Sequence, residues 1–306
     1  MNAVTQVSFN RAKLIDAIEV ARLHAATEDN RPVLNRVNFL KQDNAVYVCG
    51  TDGYRLSLTR LEPSGLDFVD CGIDLSDIKL LLKHLKSLKK VSDVDFVVST
   101  ETLEVERTRE IKARYVGIKP TSETYTETIN LHRINVAGLE LTSVVGKLPD
   151  VFNLIPETQG IPTCRVDCGA MLHAQYEPLY KAQNAARKAA VAALGDAARY
   201  KADRHSVEKL YRVTHITLSD IIKLDEVRES NFNSSYIYDA LKALKDSAES
   251  TTVQLIKNWS WDRKTEYPSS LYICSDSTRI LIMPRSANDL TSKCEIVNLI
   301  EFVLYA

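Results

Sequence analysis

At 306 residues, 45% hydrophobic and 26% charged, the chain is long enough for two domains, each with a core of its own. A net charge of −1 excludes a bulk basic field that would draw the whole molecule to nucleic acid or to a membrane, so any such contact must rest on local patches. No apolar run reaches the length of a membrane span, and Met1 to Asn10 lacks a basic-then-apolar leader, which together predict a cytoplasmic, non-membrane protein.

In chain order, the first periodic segment predicts a helix from about Arg11 to Ala26, with Leu14, Ile18, Ala21 and Ala25 on one face. Val37 to Leu40, a turn at Lys41 to Asn44, and Ala45 to Cys49 read as a hairpin. Thr51-Asp52-Gly53-Tyr54-Arg55-Leu56 follows. Asp-Gly is a turn dipeptide, because Gly accepts positive φ and Asp bonds its own backbone. The turn then presents an aromatic, a guanidinium and a leucine. It is either the lip of a peptide-binding pocket or a plain hairpin turn whose Leu56 enters the core.

Ser76 to Lys86 predicts a second helix with Ile78, Leu81, Leu82, Leu85 and Leu88 as its apolar stripe. Lys79, Lys83, Lys86, Lys89 and Lys90 occupy another face, with only Asp77 opposing them. That row is either a solvated face or a surface that tracks phosphates without reading sequence. Val94 to Val98 is strand-like, and Leu103 to Arg107 and Ile111 to Tyr115 alternate as half-buried antiparallel strands do. Pro156 to Pro162 clusters Pro and Gly without periodicity and marks a module boundary, giving modules at 1–158 and 159–306. From Pro178 to about Ala202 runs an Ala-rich helix, either a plain surface helix or a second basic surface.

Ser235 to Lys245 repeats the S-x-I-x-x-x-L-K-x-L-K string of Ser76 to Lys86, and each copy is followed by a β-like run, Val253 to Ile256 in the second case. Two copies of one α+β module, with helices gathered on one face of antiparallel sheets, is the economical reading. The six cysteines are Cys49, Cys71, Cys164, Cys168, Cys274 and Cys294, and four of them are scattered singly in strand-like or apolar contexts, as in reduced cytoplasmic proteins. Cys164 and Cys168 have no second pair nearby, so no metal is expected. Gly-rich phosphate loops, HExxH and GxSxG are all absent, so no catalytic residues and no cofactor are expected.

Several short segments resemble the bacterial DNA polymerase III β sliding clamp. Arg31 to Asn35 with Thr51 to Leu56, and Leu148 to Pro156, resemble that clamp's middle domain. Phe232 to Tyr236 and Leu281 to Arg285 resemble its third domain. The resemblance implies a DNA-clamp fold. It implies a non-catalytic processivity factor that encircles duplex DNA, tethers a polymerase and takes short peptide motifs from polymerase or clamp loader. A hydrophobic peptide pocket is implied at Leu34, Thr51, Gly53, Tyr54, Arg55, Leu56, Pro156, Asn233, Tyr236, Leu281, Met283 and Pro284. Arg31 matches a DNA-touching loop arginine of the family.

Lys79, Lys83, Lys86, Lys89 and Lys90 are added as DNA-facing residues from helix geometry alone. The chain departs from the family in three ways. Only two of the family's three modules are visible, the missing one resembling its N-terminal domain, so a six-module ring would need three chains and a homotrimer is expected. Cys164 to Val227 matches the third domain poorly. Ser286 to Ala306 extends past the family's usual end with an apolar run that is able to add an edge strand, lie across the pocket or make a subunit contact. The alternative is a clamp-fold binding module that forms no closed ring.

Overall fold

The computed structural model describes residues 4–27, 31–65, 67–111, 121–156, 159, 164–165, 168–172, 181, 185, 215–217, 231–246, 251–259 and 266–283. Strand β1 (Val4–Asn10) leads directly into helix α1 (Arg11–His24), whose start is fixed by Asn10, the side chain of which accepts a hydrogen bond from the Lys13 N–H. Strands β2 (Arg36–Gln42), β3 (Ala45–Thr51), β4 (Arg55–Leu61) and β5 (Cys71–Asp74) follow, then helix α2 (Leu75–Ser87). The β2–β3 turn is tighter than the sequence suggests, because both strands run on to leave only Asp43 and Asn44, with Asp43 at φ 52°. Helix α2 starts one residue before Ser76, and its preceding residue Asp74 makes no side-chain cap.

Strands β6 (Asp93–Ile111), β7 (Thr121–Val136) and β8 (Leu139–Val144) form a meander that joins β1 in a four-stranded antiparallel sheet, ordered β1-β6-β7-β8. This corrects the two short strands expected at Leu103–Arg107 and Ile111–Tyr115. Leu103 to Arg107 lies within the single long strand β6 and pairs with Tyr125 to Ile129 of β7, and Leu103 is exposed rather than half-buried. The remainder of the second expected strand, 112–115, lies outside the described residues.

The later part of the chain contributes β9 (Cys164–Arg165), α3 (Cys168–Met171), β10 (His215–Thr217), β11 (Asn231–Asn233), α4 (Ser234–Ala243), β12 (Thr252–Trp259), β13 (Glu266–Cys274) and β14 (Thr278–Ile282). Helix α4 and the meander β12–β13–β14 repeat the order of α2 and β6–β7–β8. The Ala-rich stretch at 178–202, apart from Lys181 and Ala185, and the segment 286–306 lie outside the described residues.

The architecture is α+β. The central object is an eight-stranded sheet, ordered β5-β2-β3-β4-β14-β13-β12-β9, in which strands from the two halves of the chain join edge to edge through antiparallel β4 and β14. Helix α1 packs near both α2 and α4 and rests on β3 and β4. One core, built from Phe9, Phe39, Phe96, Leu14, Ile18, Ile78, Leu81 and Leu85 among others, lies between α1, α2 and the two sheets. A second, with Ile237, Leu241, Leu271 and Ile280, lies under α4. Close approach of α1 to the sheet requires Gly50, since a Cβ there would stand 1.9 Å from the Ala21 carbonyl oxygen.

Candidate functional site

The β4–β14 junction collects most of the residues singled out by sequence. Leu56 lies directly across from Leu281, Arg55 from Ile282, and the Met283 N–H extends the ladder by donating to the Tyr54 carbonyl at 2.9 Å. Thr51 faces Leu56 from the other side, across the β3–β4 hairpin. Alternation then sends Leu56, Leu58, Cys49, Tyr272 and Leu281 to the face away from the helices. There they form a third cluster with Leu34, Leu148 and Val151, edged by half-buried Val33, Phe152, Leu154 and Ile155. Pro156 follows as the half-buried end of that segment. Each buried leucine of this wall contributes roughly 1.5–3 kcal/mol. Leu56 is buried in this cluster, as the plain-hairpin reading of the turn expects.

The turn itself is held by its own side chains. Gly53 takes φ 91°, as an Asp-Gly turn requires. The Asp52 carboxylate accepts the N–H groups of Tyr54 at 2.9 Å and Arg55 at 3.1 Å, while Thr51 Oγ1 donates to the Arg55 carbonyl at 2.7 Å. The result holds Tyr54 outward at the mouth of the wall, 44% exposed. Arg31 lies on the loop before β2, with a guanidinium nitrogen beside Gly53, 3.4 Å from where a Cβ would stand.

Arg55 does not join the wall. Its guanidinium donates to Asp52 at 2.9 Å and to Asp239 of α4 at 2.6 Å, and sits 4.3 Å over the Tyr236 ring. Arg55 and Tyr236 thus tie the two halves together on the helix side, leaving Leu34, Thr51, Tyr54, Leu56, Leu281 and Met283 at the wall and its mouth. Burial pushes the Tyr236 hydroxyl well above its ordinary range, with Asp52 adding to the shift. Nearby, His24 ends α1 fully buried. One ring nitrogen bonds the Val20 carbonyl at 2.8 Å and the other has no partner. Burial, reinforced by the Arg55 charge, lowers its pKa to about 3. Asn233 is placed in β11 by its backbone only, and Pro284 lies outside the described residues.

Sequence reasoning missed the cover of this wall. The segment 145–152, with Asn38, Leu40 and Asp70, lines an open groove of about 420 Å³ that shares Leu148, Val151 and Phe152 with the wall. Phe152 packs edge-on against Tyr47 at 5.0 Å. It also missed Asp239, although that residue stands inside the repeated Ser235–Lys245 string.

On the helix layer, Lys79, Lys83, Lys86, Lys89 and Lys90 are all exposed. Lys86 is not opposed by Asp77 alone, since its Nζ bonds Glu19 of α1 at 2.8 Å. Burial would raise the Glu19 pKa, but hydrogen bonds from Lys86 and Arg22 outweigh it and hold the carboxyl below its ordinary value. Among the described residues no group of three or more His, Cys, Asp or Glu is arranged to hold a metal, and no helix is long and apolar enough to cross a membrane.

Residues 8–111 match the family model for the DNA polymerase III beta subunit, central domain. A search of curated proteins found no match. Among solved structures, a DNA polymerase III beta subunit from Eubacterium rectale superposes with a TM-score of 0.53 at 11% identity, over 94% of this chain and 68% of that one. Caulobacter crescentus pol III beta gives 0.52 at 15% identity, over 93% and 67%. The subunit from Borrelia burgdorferi, solved in complex with a natural product, gives 0.52 at 14% identity, over 94% and 64%. Residues 8–111 thus match the central domain of the DNA polymerase III β subunit, and the chain has the fold of the bacterial β sliding clamps.

Proposed function

We propose that this protein is a non-catalytic DNA clamp of the processivity-factor type, cytoplasmic and homo-oligomeric, built of modules at 1–158 and 159–306. The observation that carries the reading is the β4–β14 junction. It sets Thr51 and Leu56 beside Leu281 on one face of a continuous sheet, while α1, α2 and α4 form a layer on the other. A partner polymerase or clamp loader inserts an apolar side chain of a short peptide against Leu34, Leu56, Leu281 and Met283, with Tyr54 at the mouth and Pro156 at the far rim. The helix layer faces duplex DNA, with Lys79, Lys83, Lys89 and Lys90 contributing diffuse phosphate attraction and Arg31 a loop contact. Topological retention asks for no tight phosphate binding, which suits a chain of net charge −1.

Ring closure is supported by the repeated meanders. The edge of β14 is covered by β4 of the other module, whereas the equivalent edge of β8 is hydrogen-bonded to no further strand among the described residues. In the ring, a strand from another copy takes that place. The test is retention on DNA. A closed clamp, loaded or trapped on nicked circular plasmid, survives a wash at high salt and is released when the plasmid is linearised. Equal loss from circular and linear DNA would replace this reading with that of a clamp-fold binding module that forms no ring.

A further inference from the structure

The repeated meanders differ in one respect. Strands β12 and β13 are 8 and 9 residues long, whereas β6 and β7 reach 19 and 16. The surplus forms a two-stranded ribbon that leaves the body of the molecule. Strand β1 ends its pairing with β6 at Ser99, and β8 ends its pairing with β7 at Leu131. Beyond these points, among the described residues, Thr102 to Ile111 and Thr121 to Ile129 pair only with each other.

The apolar face of the ribbon also changes sides. In the body, Phe96 and Val98 of β6 and Ile134 and Val136 of β7 face the core. Continued outward, that same face carries Thr100, Thr102, Glu104 and Glu106 opposite His132, Asn130, Thr128 and Thr126. The other face, polar beside the core, becomes the apolar one, with Leu103 across from Ile129 and Val105 and Tyr125 beyond them. Leu103 is 40% and Tyr125 43% exposed. A solitary two-stranded ribbon is marginal in water, and its open edges and apolar stripe are liabilities unless something covers them.

We infer that a second copy of this chain covers the stripe, ribbon against ribbon about a two-fold axis. Charge decides the occupant. Among the described side chains of the apolar face, each charge has an opposite partner inside the ribbon, Arg107 with Glu127 and Arg133 with Glu101, each at 2.7 Å. Two such faces meet without net repulsion, and identical faces are self-complementary under two-fold symmetry. The opposite face presents Glu104 and Glu106, which would repel their own copies. A ribbon of about ten residues at roughly 3.3 Å per residue buries on the order of 800 Å² in the pair, at the low end for a specific interface. Association is therefore weak. This contact is separate from the β8 edge and joins clamps to one another rather than closing one.

The test is sedimentation equilibrium of the full chain from 1 to 300 µM, with far-UV circular dichroism as a check on folding. The wild type self-associates in that range. Leu103→Asp with Ile129→Asp weakens that association at least tenfold, while Glu104→Gln with Glu106→Gln leaves it unchanged or stronger. Hydrogen exchange of the wild type reads the same contact without a variant, as protection at 102–111 and 121–129 that grows with protein concentration. A wild type without association in that range, an apolar-face variant that associates like the wild type, or concentration-independent exchange would overturn the proposal.

Discussion

Arg55 is the most consequential single side chain at the junction, and its removal is quantifiable. In Arg55→Met the aliphatic volume is largely kept, but the 2.6 Å bond to Asp239, the 2.9 Å bond to Asp52 and the stacking on Tyr236 are all lost. Side-chain exposure is 10% for Arg55, 14% for Asp52 and 24% for Asp239, so two mostly desolvated carboxylates lose their cationic partner. Breaking a buried pair from one side costs about 3–5 kcal/mol, and a desolvated cation–π contact adds about 1–2 kcal/mol. The partial exposure of Asp239 lets water recover some of this, which places the expected loss near 3 kcal/mol. Urea denaturation measures it directly. Because the lost contacts bridge the two halves of the chain, the single transition should also broaden or split. In a cycle with Asp239→Asn, the coupling should exceed about 1 kcal/mol. A loss below 1 kcal/mol with an unchanged single transition would mean that the bridge is solvated and that the halves are held by the β4–β14 ladder alone.

Lys79→Gln, Lys83→Gln and Lys90→Gln together should lower the salt dependence of DNA binding by about 2–3 units of log–log slope, while Lys86→Gln, already engaged by Glu19, should change it least; fluorescence anisotropy across a salt series reads both. Gly50→Ala drives a methyl into the backbone of α1 at Ala21 and should cost about 3 kcal/mol or more in thermal unfolding, whereas near-neutral behaviour would mean that α1 is free to shift outward. His24 is buried uncharged with its pKa lowered to about 3, so below its ordinary pKa of 6.5 the unfolded chain takes up a proton that the folded chain refuses. Its contribution is present above pH 6.5 and is lost as pH falls toward 3, at about 1 kcal/mol per unit below pH 6. In His24→Leu the slope of stability between pH 6 and pH 5 should flatten by that amount, and an unchanged slope would place the acid sensitivity elsewhere.

The helices were the most legible part of the sequence. Leu14, Ile18, Ala21 and Ala25, and Ile78, Leu81, Leu82 and Leu85, are all buried in the structure, because each stripe faces a single layer of sheet and the 3.6-residue period survives intact. Strand β7 was not legible. Its outer half, Thr121 to Asn130, faces no core and carries no alternation toward one, so only its partner β6 defines it. The segments that meet at the β4–β14 junction were singled out separately, but their register was not legible. Thr59 and Thr278, whose hydroxyls meet at 3.1 Å across the junction, are 219 positions apart, and no local pattern reports such a pairing. The same limit explains Arg55. Its neighbours Thr51 and Leu56 marked it for the wall, while strand alternation turned its side chain to the opposite face, where Asp239 waited on a helix from the other half.

The most direct test of the central claim is a titration of this junction with a peptide. A fluorescein-labelled peptide of eight to ten residues, taken from the clamp-binding end of a bacterial DNA polymerase and carrying a leucine and a phenylalanine, should bind saturably to the full chain. Leu56→Ala with Met283→Ala removes two apolar contacts from the wall and should weaken binding by at least thirtyfold, with the fold unchanged by circular dichroism. Equal affinity for the wild type and the double variant would contradict the account.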